Sequence, residues 1–221
     1  MAGMGCDLSL SKYSKLFSLN PLEAHSVSLL KALNIIMENQ PPLKISIICQ
    51  NDKGGKLGLS QAPGKNLKQG RNGVTYSRSI FADIANFKSR GMSMMVCLLS
   101  DSELRSLGVN PRSYHIACNQ NSVKLVQYPI VEMSIPNSLQ EFEFQVVQKI
   151  LEEMQEGGTV VVHCRGGIGR SGLVAACTLL HFGVATAQKA IQWVRTKRSR
   201  NSVESSRQED FVKSYFKQFR D

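Results

Sequence analysis

Residues Val160–Gly172 (VVVHCRGGIGRSG) constrain this chain more than any other stretch. An apolar, β-branched run delivers His163 and Cys164 to a glycine-rich turn, and an apolar helical pattern follows Ser171. A helix beginning there directs unsatisfied N–H groups and the positive end of its dipole at the thiol. Arg170 adds a full charge, so both effects favour a thiolate at Cys164. Gly166, Gly167 and Gly169 let the backbone N–H groups of residues 165–169 turn inward as an anion nest, with Arg165 and Ile168 as the other members of the loop. The Arg170 fork can take two oxygens of a phosphoryl group together, a geometry lysine lacks. Ser171 can donate to the sulfur when thiolate leaves, and His163 can hold the loop through its ring nitrogens. The chemistry expected is phosphoryl removal through a cysteinyl-phosphate. The alternatives are a satisfied core histidine at 163 and an inert buried cysteine in a glycine-rich turn. A nucleotide-binding loop needs a Lys–Ser/Thr pair closing its glycine frame, and none is present, which argues against nucleotide hydrolysis.

Cys164, five intervening residues, Arg170 and Ser171, preceded by His163, resemble the signature of the cysteine-based protein tyrosine and dual-specificity phosphatases. Leu57–Gly58–Leu59 with Ala62–Pro63–Gly64 resembles the cyclin-dependent-kinase-associated branch, as does Phe87–Gly91 leading into Met94–Leu99. Glu103–Leu104 through Leu107–Gly108–Val109, and Tyr128–Pro129–Ile130, extend the likeness, which covers roughly residues 57–219. In that family an aspartate two residues after the Pro–Ile pair protonates the leaving oxygen. This chain has Glu132 there, one methylene longer, with Asp101 and Glu141 as other candidates. The resemblance also implies that Gln208, three residues before Phe211, orients the hydrolytic water; the competing reading is a helix cap, Ser205-x-x-Gln208. It further implies a phosphoprotein substrate, with a protein kinase as one candidate partner.

The expected fold is α/β, a central mostly parallel sheet flanked by helices, with strands near 44–49, 94–99, 124–128 and 160–162. Helices are expected near 80–90, from Ser138-x-x-Glu141 to Gly157, from the loop to His181, and near 187–197 and 208–219. Residues 1–42 read as an extension with one helix, opened by Asn20–Pro21 and carrying Val27, Leu30, Leu33, Ile36 and Met37 at helical spacing; 43–221 read as the catalytic domain. With 221 residues the chain can build a core without metal or disulfide staples.

Six cysteines show neither zinc nor disulfide-scaffold spacing, so no metal or cofactor is expected. A thiolate requires a reducing compartment, which points to cytoplasm or nucleus. The formal charge of +10 suits an anionic substrate: a phosphoprotein, a phosphoinositide or an RNA end. No aromatic-interleaved basic motif of a nucleic-acid-binding module occurs. No apolar run approaches the length of about 18 residues needed to span a membrane. Met4–Gly5–Cys6 would signal N-terminal acylation only if translation began at Met4. The run Arg195–Arg200 reads as a solvated face or as a collar that attracts phosphosubstrate. A binding module with little turnover is the reading from another class, supported only by Glu132 standing where the family has aspartate.

Overall fold

The Val160–Val162 run lies at the centre of the sheet because it is buried on both faces, as strands of an α/β sheet covered by helices must be. The computed structural model describes residues 41–70 and 73–220. The expected helix within 20–40 and the acylation motif lie outside them. The strands are β1 (Ser46–Gln50), β2 (Lys56–Gln61), β3 (Asn66–Leu67), β4 (Tyr76–Ser77), β5 (Met92–Cys97), β6 (Lys124–Gln127) and β7 (Thr159–Cys164). Five form one sheet in the order β1-β2-β7-β5-β6, parallel except for the β1–β2 pair. β3 and β4 form a separate two-stranded ribbon. The expected α/β architecture, a mostly parallel sheet flanked by helices, is the one found.

The helices are α1 (Ile80–Ser89), α2 (Asp101–Ser106), α3 (Pro111–Gln120), a three-part α4, α5 (Gly169–His181), α6 (Ala187–Lys197) and α7 (Ser206–Arg220). α4 runs through Leu139–Phe142, a π-helical turn Glu143–Val147, and Gln148–Gln155. That turn carries Glu143 inward to accept from the Tyr215 hydroxyl, while His181 Nε2 lies 2.7 Å from the same hydroxyl, so α4, α5 and α7 share one buried polar cluster. α5 is buried from Gly169 to Leu180 and packs against β7, α6 and α7.

Five elements were not anticipated: β2, β3, β4, α2 and α3. β2 follows a glycine pair and contains Gly58, which lowers strand propensity. Gly58 is needed there because a Cβ would stand 2.5 Å from the Ile45 side chain. α2 and α3 are short, and each is set by its cap: Ser100 and Glu103 form a reciprocal capping box, and Asn110 accepts from two N–H groups ahead of Pro111. The Cα register pairs Gln61 of β2 with Cys164, and Cys97 of β5 with His163. The carboxyl ends of β2, β5 and β7 therefore converge on one edge, where open α/β sheets bind ligands.

Candidate active site

Cys164 ends β7 almost fully buried, and the chain then turns through 165–168 into α5. Gly167 has φ +68, and a Cβ on it would meet the Ser60 carbonyl oxygen at 2.0 Å, so only glycine passes here without distortion. Ile168 occupies the N-cap of α5 and makes no side-chain cap hydrogen bond. The first-turn N–H groups thus face the cleft without a side-chain acceptor, ready for an anion. The loop carbonyls are held from outside. Arg198 Nε donates to Gly167 O at 2.9 Å and Nη2 to Gly166 O at 3.1 Å, while Nη1 reaches Ser46 Oγ. Within the basic run, then, Arg198 is an internal brace, and Arg195 is bound to Glu209 at 2.6 Å and to the Ser202 and Val203 carbonyls.

Arg170 is 3% exposed and points its head at the same cleft. Its Nη1 donates to Ile130 O (2.6 Å), Glu103 Oε1 (2.8 Å) and Leu98 O (3.4 Å). Nε and Nη2 have no hydrogen bond among the described residues, leaving a planar pair of donors for two oxygens. Glu103 was not anticipated for this role; in the sequence it figured only in the likeness over Glu103–Val109, and in the structure it also closes the capping box with Ser100.

The cleft measures about 340 Å³ and brings together Cys164, Arg165, Gly166, Ile168, Arg170 and Glu132. Glu132 and Met133 are the central residues of a turn closed by Ser134 N donating to Val131 O at 2.9 Å. Met133 has φ +61, as the third residue of a type II turn requires and glycine usually supplies. Asp101 and Glu141 do not line this cleft; their carboxylates accept from Gln127 and Gln145.

Ser171 is fully buried, and among the described residues its hydroxyl has no hydrogen-bond partner, Cys164 Sγ included. His163 is fully buried, with Nε2 2.7 Å from Tyr114 Oη and Nδ1 3.3 Å from Cys164 O. Burial pushes its pKa down to about 4, helped by the Lys65 and Arg170 charges.

Gln208 is also fully buried and stands behind the cleft wall rather than in it. Its Oε1 accepts from Glu204 N (2.9 Å), its Nε2 donates to Ser134 O (3.1 Å), and its own N–H donates to Ser205 Oγ (3.2 Å). One amide thus ties the Glu132 turn to the segment carrying Glu204. Glu204 does line the cleft, with Oε2 2.0 Å from the position a Cβ on Gly169 would take. Val203 before it holds φ +59, a strained conformation for a β-branched residue. Lys65 enters the cleft from the segment before β3, and burial, then Arg165, push its pKa down. Neither Lys65 nor Glu204 has a local motif that marks it. Among the described residues no group of three His, Cys, Asp or Glu is placed to hold a metal ion, and no helix is long and apolar enough to cross a membrane.

Comparison with known proteins places this geometry in a family. The family model described as "Swiss Army Knife protein, DSP-PTPase phosphatase domain" matches residues 76–212. Cyclin-dependent kinase inhibitor 3 of Sus scrofa is 28% identical over 183 residues, covering 81% of this chain and 82% of that protein. The Homo sapiens protein of that name is 26% identical over 184 residues, with 81% and 82% covered. Among solved structures, kinase associated phosphatase with its catalytic-site cysteine replaced by serine superposes with a TM-score of 0.70 at 22% identity, covering 81% of this chain and 97% of that one. PTPMT1 superposes with a TM-score of 0.57 at 19% identity, covering 79% and 95%. The thiol at the foot of an uncapped helix is therefore that of a cysteine-based phosphatase, a hydrolase, and the chain belongs to the DSP-PTPase phosphatase domain family.

Proposed function

We propose that this chain is a protein phosphatase that hydrolyses phosphotyrosine and/or phosphoserine and phosphothreonine through a cysteinyl-phosphate. In the first step Cys164 Sγ attacks phosphorus in line. An S–P bond forms as the P–O bond to the substrate breaks, and Glu132 gives its proton to the departing oxygen. The loop N–H groups and Arg170 Nε and Nη2 hold the equatorial oxygens. In the second step water attacks phosphorus, its proton returns to Glu132, and the S–P bond breaks to release inorganic phosphate. Ser171 donates to the thiolate as it leaves. The observation that carries this reading is Cys164 beneath the uncapped first turn of α5, with Arg170 pinned through Nη1 alone and a carboxylate in the same cleft.

Protein rather than small-molecule substrates are supported by a relative named as a cyclin-dependent kinase inhibitor and a structural neighbour named as a kinase associated phosphatase, which makes a phosphorylated kinase a candidate target. We assign residues 43–221 as the catalytic domain and 1–42 as an extension. A reactive thiol suits the cytoplasm or nucleus.

The test compares wild type with Cys164→Ser and Glu132→Gln on para-nitrophenyl phosphate and on phosphopeptides. Cys164→Ser should abolish turnover on every substrate. Glu132→Gln should slow phosphothreonine peptides by roughly a hundredfold or more, and the activated aryl phosphate, whose leaving group needs little protonation, far less. Equal slowing of both substrates would remove Glu132 from the acid role, and folded wild type without turnover would favour a binding module.

A further inference from the structure

Three basic side chains, Lys65, Arg165 and Arg170, line the cleft together with the carboxylates of Glu132 and Glu204. The scissile phosphate is served by the loop N–H groups and by Arg170, whose charge Glu103 already partly balances. Lys65 is extra. It is 7% exposed, and among the described residues its ammonium meets only the Gln61 side-chain oxygen at 3.3 Å and the face of Tyr76, 5.1 Å from the ring centre. Among the described residues no carboxylate lies within ion-pair distance of Lys65 or of Arg165, which lines the same cleft. A buried ammonium with no carboxylate partner among the described residues, set beside a guanidinium, is costly in the free protein, and an anion placed between the two relieves that cost. The mutual repulsion is visible in the direction of the Lys65 pKa, lowered by burial and by Arg165, with the negative charge of Cys164 acting the other way.

Resting on the phosphatase reading above, we propose that Lys65 and Arg165 form a second anion subsite beside the scissile phosphate, so that the cleft selects phosphopeptides carrying a second phosphorylated residue close to the first. A peptide fits the rest of the cleft better than a polyhydroxylated ring. Leu67, Leu107 and Ile168 line it, and Met133 at its edge is 51% exposed, offering apolar contact to peptide side chains, while Tyr76, Glu132 and Glu204 are the lining groups able to bond a hydroxyl. Lys65 supplies the compact, rotatable charge and Arg165 the planar fork, a pair suited to a phosphoryl group that arrives at no fixed angle.

The experiment is steady-state kinetics of the full chain on matched peptides, singly phosphorylated or carrying a second phosphorylated residue one or two positions away. Inositol monophosphate and inositol bisphosphate form a second substrate pair. The quantity read is the ratio of kcat/KM for double over single phosphorylation. Because both values come from the same preparation, any loss of folded enzyme cancels. Wild type should prefer the doubly phosphorylated peptide by about tenfold or more, the size expected for charge-assisted hydrogen bonds. Lys65→Met should bring the ratio close to one, and Lys65→Arg should restore most of it. A wild-type ratio near one, or a ratio unchanged in Lys65→Met, overturns the subsite while leaving the phosphatase reading intact. Turnover of aryl phosphate with none of any phosphopeptide overturns both. A Lys65-dependent preference seen only with inositol bisphosphate overturns the peptide as the carrier.

Discussion

His163 shows how one buried ring sets a pH limit on the whole fold. The Cys164 carbonyl can only accept, so Nδ1 carries the proton and Nε2 accepts from the Tyr114 hydroxyl. That neutral tautomer satisfies both ring nitrogens and leaves no room for a second proton. Burial therefore depresses the pKa from an ordinary 6.5 to about 4. As pH falls below 6.5 the unfolded chain takes up a proton that the folded protein refuses, so stability is lost progressively until about pH 4. The loss over that window is about 3 kcal/mol, at 1.36 kcal/mol for each pKa unit. Urea unfolding at pH 7 and pH 4 should show wild type losing about that much more than His163→Gln, which cannot titrate. Parallel losses in the two proteins would mean that the ring is already charged in the fold.

Among the elements, the end of α6 decides whether the phosphate loop is a nest or merely a turn. Arg198 draws the Gly166 and Gly167 carbonyls outward, which leaves the intervening N–H groups to face the cleft. Arg198→Met keeps the stem and removes the fork. It should lower kcat/KM about tenfold and weaken inhibition by inorganic phosphate by a similar factor. Arg198→Lys should recover little, because a point charge cannot hold two carbonyls in that geometry. Unchanged phosphate inhibition in Arg198→Met would show that the loop holds its shape unaided. This brace also marks the limit of what was legible in the sequence. The β7–loop–α5 unit carries its chemistry in contiguous residues, so Cys164, Arg170 and the glycines could be picked out from spacing alone. Glu103 reaches Arg170 from 67 positions away, and Arg198 reaches Gly167 from 31, with nothing local to mark either. β2 stayed hidden because its glycine answers a tertiary contact with Ile45 rather than a turn. Gln208 illustrates the reverse case: a residue singled out by resemblance has both amide atoms engaged by backbone, where it joins two segments that carry the cleft carboxylates.

At the scale of the whole molecule, the charge of +10 is unevenly spread. No acidic residue stands between Asp52 and Asp83, whereas Lys53, Lys56, Lys65, Lys68, Arg71 and Arg78 all fall there. This stretch includes β3 and β4, whose residues Leu67 and Tyr76 form one wall of the cleft. Arg78 is spent on Asp83 at 2.5 Å, but Lys65 has no such carboxylate among the described residues. Basic side chains beside a site that binds a dianion, here Lys65 with Arg165 and Arg170, act on the approach of substrate before any contact is made, over roughly a Debye length, about 10 Å at 0.1 M salt. Raising NaCl from about 20 to about 300 mM should therefore cut kcat/KM several-fold for a phosphopeptide rich in acidic residues, and much less for one flanked by neutral residues. The turnover number at saturating substrate should change little for either, since encounter no longer limits the rate there. Equal losses for the two peptides would confine the salt effect to the phosphate that both carry, and the basic wall would then have no part in capturing the flanks. The neutral-flanked peptide is the arm that separates the two contributions, because chloride at the loop and screening of the shared phosphate act on both substrates, while screening of the acidic flanks acts on one alone.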